Sequence, residues 1–317
     1  MKSFSMQKRF GSVLMFGTML VLAACGGSSG GSGGSGASTG TLSMQITDAA
    51  VDNADNVFIQ FHGLVLQAAD GTRTTLNYCE DPMDSTKTIV SESACTTPPK
   101  PKQIDLLALN GGLADSLLDG FTLPSGNYSW MRLMVDTAGT LDSYIVVGGT
   151  PYELTIPSGA ETGLKVNRGF GVPAGGSANF TIDFDLRKSV HLANGNYMLR
   201  PTLRMVDNTM VGAIAGTVDQ SLVPGGCTPA VYVFAGGGVT PDDIDGIDPD
   251  PVTTATVTQD NTGVYRYKAA FLEAGDYTIA YTCQAALDDP DTNDALTFSG
   301  TATVSVTANN TTVHNFP

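Results

Sequence analysis

The sequence predicts an all-β protein: two tandem β-sandwiches behind a leader and a flexible linker. Three observations carry that expectation. Apolar residues alternate at period two in one short run after another. Turn-forming Gly, Pro, Asn and Asp separate the runs. Beyond residue 40 there remain 277 residues, with one pair of cysteines in each half. That is more chain than one sandwich needs.

The leader comes first. Residues 1–9 carry Lys2, Lys8 and Arg9, and residues 10–22 are apolar. A basic start, a short apolar run and small residues before a cut site make a secretory signal peptide over 1–24. The run falls short of the about 20 residues that span a bilayer. Residues 26–40 are nearly all Gly and Ser. They bury too little apolar surface to order, so 25–40 reads as a linker with a reach of roughly 20 Å. Leu22-Ala23-Ala24-Cys25 resembles the lipobox of bacterial lipoproteins. The resemblance implies cleavage before Cys25, a diacylglycerol on its sulfur and an acylated amine. Gly26, which is not Asp, implies sorting to the outer membrane of a Gram-negative cell. An ordinary signal peptide with an incidental cysteine is the alternative.

The first sandwich is expected over 41–207. Leu42, Met44 and Ile46 share a face, as do Val57, Ile59 and Phe61. Gly63 interrupts as a bulge before Leu64 and Leu66. Residues 70–103, with Pro82, Pro98, Pro99 and Pro101, read as a long loop. Residues 104–118 are the best helix candidate, broken at Gly111-Gly112 into two short turns. Strands follow at 128–135, 144–147 and 152–156, the last two as a hairpin. Another runs over 178–186, where Phe180, Ile182, Phe184 and Leu186 share a face. The half closes at 197–206, with Pro201 marking an edge or bulge. In the second unit, 211–317, strands are expected at 213–218, 230–234, 263–270, 275–281 and 301–306.

Several segments resemble one bacterial lipoprotein family. They include Ile46-Thr47-Asp48-Ala49-Ala50, Leu123-Pro124-Ser125-Gly126-Asn127-Tyr128, Asp183-Phe184-Asp185-Leu186-Arg187-Lys188-Ser189 and Leu199-Arg200-Pro201-Thr202-Leu203-Arg204. The family is the domain of unknown function 4382, resembled across 41–207. It implies an exported, anchored β-sandwich and no particular activity. Residues 211–317, with Leu272-Glu273-Ala274-Gly275-Asp276-Tyr277, resemble prealbumin-like repeats such as carboxypeptidase regulatory-like domains. The fold class is thus immunoglobulin- or prealbumin-like. Collagen-adhesin relatives can carry a Lys–Asn isopeptide bond.

With Cys25 set aside, Cys79 with Cys95 and Cys227 with Cys283 form the simplest pairing in an exported protein. A metal site is the alternative, but no CxxC or histidine cluster accompanies these thiols. The formal charge is −15, or −18 without the leader and its three basic residues. Such a surface excludes nucleic acid as a partner. Outside the Gly/Ser linker there is no Gly-x-Ser-x-Gly hydrolase elbow; the sequence has no zinc HExxH pair and no P-loop, and no Gly-x-Gly-x-x-Gly follows a strand to open a helix. His62, His191 and His314 sit in or beside strand patterns.

Two regions invite ligands. The stretch 242–250 holds five carboxylates in nine residues, and 288–294 is similar. Asp243, Asp245, Asp248, Asp250, Asp289 and Asp291 are therefore the candidate calcium ligands, although the spacing fits no EF-hand. A solvated acidic loop is the other reading, and no cofactor besides calcium is expected. Asp183, Asp185 and Arg187 at period two read as a charged strand face, a ligand patch with Lys165 or Arg168, or a plain charge ladder. Trp130 and Tyr128 read as aromatics opposite Met131, as on sugar-binding sheets. The expected function is a non-enzymatic, lipid-anchored surface binding or adhesion module with a glycan or envelope protein as partner. A periplasm-facing assembly accessory and an uncharacterised hydrolase are the alternatives.

Overall fold

Period-two alternation builds the first half. In the strand Thr39–Ala49, Leu42, Met44 and Ile46 are wholly buried and the residues between them are not. This strand pairs in parallel with Ser177–Asp185, setting Met44 against Phe180 and Ile46 against Ile182. Asp115–Pro124 flanks it on the other side, and Leu203–Asp207 closes the four-stranded sheet. The computed structural model describes residues 38–49, 54–137, 139–157 and 159–317. The expected leader, Cys25 and all but the last three residues of the linker lie outside them. The first strand starts at Thr39, two residues before the expected boundary.

A larger sheet packs on this one, with Asn56–Ala68 and Gly126–Val135 at its centre. The inward residues of Asn56–Ala68 are Val57, Ile59 and Phe61, then Leu64 and Leu66. The parity flips because the ladder slips between Phe61 and Gly63. A side chain on Gly63 would lie 2.1 Å from the Leu76 carbonyl oxygen, so only glycine fits the bulge.

Two expectations fail here. Residues 70–103 are not a loop: Arg73–Asp81 and Asp84–Ser91 pair as a hairpin, and Lys102–Asp105 joins Asn56–Ala68. Only Leu76, Tyr78 and Cys79 of that hairpin are buried, so the apolar signal was too thin. Residues 104–118 give a 3-10 segment, Leu107–Gly112, that breaks at Gly111 as expected, and then a strand. Leu117, Leu118 and Leu123 are buried on that strand, whose pairing is irregular around Leu118 and so hides the alternation. Pro201 splits the last expected strand into Asn196–Leu199 and Leu203–Asp207.

The second half has its own two four-stranded sheets. Val211–Val218, Tyr265–Glu273, Thr258–Gln259 and Thr311–Val313 form one, and Ala230–Ala235, Thr253–Thr256, Gly275–Thr282 and Phe298–Val306 the other. Ile214, Val231, Val233, Ile279 and Phe316 fill the core between them. Ala230–Ala235 is apolar on both faces. Its even residues Tyr232 and Phe234 pack on a separate cluster with Ile244 and Ala285. The loops 236–252 and 283–297 therefore fold back over the outer face of the sheet. That cover is what buries charged residues beneath them.

Cys79–Cys95 and Cys227–Cys283 are disulfides, as expected. By loop entropy they contribute about 3 and about 4 kcal/mol. Among the described residues no helix is long and apolar enough to cross a membrane.

Candidate functional site

The acidic loops converge, but on a different set of carboxylates. Asp243, Asp288 and Asp294 each bring an oxygen within 4.8 Å of the others. Asp243 accepts from the Asp294 backbone N–H through Oδ2. Asp288 accepts from Ile244 N–H at 3.1 Å and from the Tyr232 hydroxyl. Asp294 Oδ2 accepts from Asp289 N–H at 2.8 Å and from the Thr292 hydroxyl at 3.1 Å. Burial pushes the Asp243 carboxyl above its usual range, and the Asp245 charge adds to the rise. Burial raises Asp288 as well, against the Tyr232 hydrogen bond.

Of the six residues singled out by sequence, only Asp243 joins this cluster. Asp245 accepts from Ile247 N–H and from the Asn293 amide. Asp248 is exposed. Asp250 pairs with Lys188. Asp289 turns its Oδ1 to the Asp291 N–H, and Asp291 lies 3.0 Å from His191 and 3.3 Å from Arg200. Asp245, Asp250, Asp289 and Asp291 are thus engaged by the loops themselves or by the first half of the chain.

The charged strand face is also rearranged. The strand Ser177–Asp185 ends at Asp185, which caps the single helical turn Leu186–Ser189 by accepting from Lys188 N–H. The turn takes Arg187 off the strand, so Asp183, Asp185 and Arg187 are not a solvated ladder. All three are buried. Asp183 pairs with Arg204, whose other branch donates to the Phe271 carbonyl at 3.0 Å. Arg187 donates at 3.2 Å to both the Tyr232 hydroxyl and the Ala285 carbonyl. Asp48 enters the same buried group, accepting from Leu186 N–H at 3.2 Å. Desolvation drives the Asp48 carboxyl well up, with Asp183 and Asp185 adding to it. Desolvation likewise raises Asp185 to about 6. The patch is a buried ionic junction between the two sets of sheets.

Lys165 and Arg168 do not serve that junction patch either. Arg168 pairs with Glu273 at 2.7 Å. Lys165 lies 4.9 Å from the centre of the Trp130 ring, with the guanidinium carbons of Arg132 at 5.3 Å and Arg73 at 5.5 Å. Gln67 holds Arg73 by accepting from its Nε at 2.7 Å. Among the described residues no carboxylate forms an ion pair with these three cations. Tyr128 is absent from this face. The ladder slips between Gln67 and Ala68, where Trp130 and Tyr128 pair, and turns Tyr128 inward. It stacks there on Phe170 and donates its hydroxyl to the Pro124 carbonyl.

A family profile described as Domain of unknown function (DUF4382) matches residues 39–201, just over half of the chain. The chain belongs to the DUF4382 family. No curated protein matches it in sequence. Among solved structures it is similar to a leucine-rich repeat protein from Bacteroides thetaiotaomicron, at 14% identity and a TM-score of 0.20. That alignment covers 88% of this chain and 26% of the other. The Bacillus anthracis TIE protein gives 10% and 0.19, covering 88% and 50%. The minor pilin GBS52 of Streptococcus agalactiae gives 12% and 0.18, covering 87% and 94%. The chain thus spans a quarter and half the length of the first two. Likenesses at these TM-scores carry no argument.

The DUF4382 match contains the Trp130 face, Asp48 and the Asp183–Arg187 junction group, whereas the Asp243 cluster lies beyond it. Sequence reasoning missed Asp288 and Asp294 as partners of Asp243. The available signal was the unbroken apolar run Ala230-Val231-Tyr232-Val233-Phe234. A strand apolar on both faces needs cover on both. The covering segments are the two acidic loops.

Proposed function

We propose that this DUF4382 protein is an exported, lipid-anchored, non-enzymatic binding module of the cell surface, and that its ligand is an anionic polysaccharide. The observation that carries the reading is the Trp130 face. An indole stacks on the apolar face of a sugar ring, and cations around it pair with sulfate or carboxylate groups. Among the described residues, Arg73, Arg132 and Lys165 stand there without carboxylate partners, on a chain of net charge −15. The overall negative field does not forbid this. It is screened beyond about 8 Å at physiological salt, so the local cations decide the contact.

The lipobox-like Cys25 supports the anchor. Each buried acyl CH₂ contributes about 0.8 kcal/mol, and two or three chains hold the protein to the outer membrane. The Gly/Ser stretch gives the sandwiches 41–207 and 211–317 reach from that membrane. Separate sheets and separate cores support this two-sandwich division.

The chain has a single tryptophan, so its emission reports on this face alone. Titrating the purified protein with dextran sulfate is expected to give a saturable change in Trp130 emission, while uncharged dextran gives none. Arg73→Glu/Lys165→Glu is expected to weaken binding at least tenfold, about 1.4 kcal/mol. An unchanged affinity in that variant would remove the face from the reading. An equal response to uncharged dextran would remove the charge requirement.

A further inference from the structure

Beyond carbohydrate binding, we infer that Asp243, Asp288 and Asp294 hold a divalent cation of the calcium type, which fastens the two loops that clasp the first sandwich. Three carboxylate oxygens from separate points of the chain lie within 4.8 Å of one another. Proximity of acids would not alone make a site. The second observation is the state of Asp243. Its side chain is 1% exposed, and its Oδ1 is buried with no hydrogen-bond donor among the described residues. A buried carboxylate oxygen without a donor carries a large desolvation cost. A cation among the three carboxylates would supply the missing partner.

The donors are all oxygens, which matches calcium or magnesium and argues against the softer transition metals. Both oxygens of Asp288 and Oδ2 of Asp243 already accept one hydrogen bond, and Oδ2 of Asp294 accepts two. An ionised carboxylate oxygen has two acceptor positions, so Asp243 and Asp288 remain able to ligate and Asp294 would do so through Oδ1. Three carboxylates leave half or more of a shell of 6–8 oxygens to water or backbone carbonyls; calcium's flexible geometry accepts an irregular set of loop oxygens, where magnesium demands a near-ideal octahedron. The charge of Arg187 reaches Asp288. One guanidinium does not neutralise three carboxylates.

The site is tied to the junction. Asp288 receives the Tyr232 hydroxyl, which in turn receives Arg187 from the first half. The loops that supply the ligands also carry Asp250, paired with Lys188, and Asp291, beside His191 and Arg200. A cation bridging Asp243 to Asp288 and Asp294 would draw the 242–250 and 288–294 loops together and hold these pairs in place.

The test is a thermal-unfolding titration of the chelator-stripped protein with calcium chloride, run beside calorimetry. Calcium at about a hundredfold excess over its dissociation constant is expected to raise Tm by about 5 °C or more. Calorimetry is expected to give one ion per chain. Asp243→Asn/Asp294→Asn is expected to abolish the rise, and Asp245→Asn/Asp248→Asn to keep it. Should the double variant at Asp243 fail to fold, Asp294→Asn decides: that residue is only half-buried, and its change is expected to weaken calcium binding at least tenfold. No binding to the parent, or binding unchanged in Asp294→Asn, would overturn the site. Because the readout uses calcium alone, it stands or falls independently of the Trp130 face.

Discussion

Arg187→Ala is expected to lower the stability of the whole chain by about 3–5 kcal/mol, seen as an earlier chemical-denaturation midpoint with an unchanged slope. Arg187 is 3% exposed and lies where the two sets of sheets meet. Its guanidinium donates to Tyr232 and Ala285 and lies over the Tyr232 ring at 5.5 Å. Its charge acts on Asp48, Asp185 and Asp288. Alanine removes the cation, leaves Asp48 beside Asp183 and Asp185 without that offset, and opens a cavity. A truncation of this kind is costly because the surviving charges stay buried, not because the ion pair itself is strong. Arg187→Lys is expected to recover only part of the loss, since an ammonium keeps the charge but not the planar guanidinium that lies over the Tyr232 ring. A change below 1 kcal/mol in Arg187→Ala would show that the junction contributes little.

The same group sets the second expectation, a stability that falls as pH rises from about 4 to about 7. Desolvation raises Asp185 from 3.8 to about 6 in the folded chain and raises Asp48 well above its ordinary value. Below about 4 both residues are protonated folded or unfolded, and they cost nothing. Between the unfolded and folded pKa values the unfolded chain loses protons first, so stability drops with rising pH. Above about 6 the full cost of Asp185 is present, on the order of 3 kcal/mol. Asp48→Asn keeps an acceptor for Leu186 N–H and replaces Oδ2, which has no hydrogen-bond partner among the described residues, with an amide that can donate to Asp183 or Asp185. It is expected to raise stability at pH 7.5 by about 2 kcal/mol and to have little effect near pH 4. Denaturant midpoints at the two pH values decide this. An Asp48→Asn loss at pH 7.5 would mean that the junction needs that charge.

Much of the architecture was legible because single faces alternate. Met44 and Ile46, Met131 and Leu133, and Phe180 and Ile182 read correctly, as did the bulge at Gly63 and both cysteine pairs. What escaped was governed by contacts across the chain. The hairpin around Leu76 and Tyr78 buries so little that its strands look like loop. Arg187 looked like the next rung of a ladder because nothing in its period reveals that Asp185 caps a helical turn. Tyr128 and Trp130 are two apart, yet a bulge places one in the core and the other on the surface. Asp243 meets Asp288 and Asp294 only because a strand apolar on both faces draws two loops over it. The charge of those loops was visible, whereas the choice of converging carboxylates was made by tertiary packing.

The surface-binding account is tested most directly on intact cells producing the full-length protein, by measuring retention of fluorescent dextran sulfate. The account predicts severalfold more retention by cells with the parent protein than by cells with Trp130→Ala/Lys165→Glu. It also predicts that Cys25→Ala, which would remove the proposed anchor, reduces retention to the level of cells without the protein. Equal retention by parent and Trp130→Ala/Lys165→Glu cells, at equal protein levels, would contradict it.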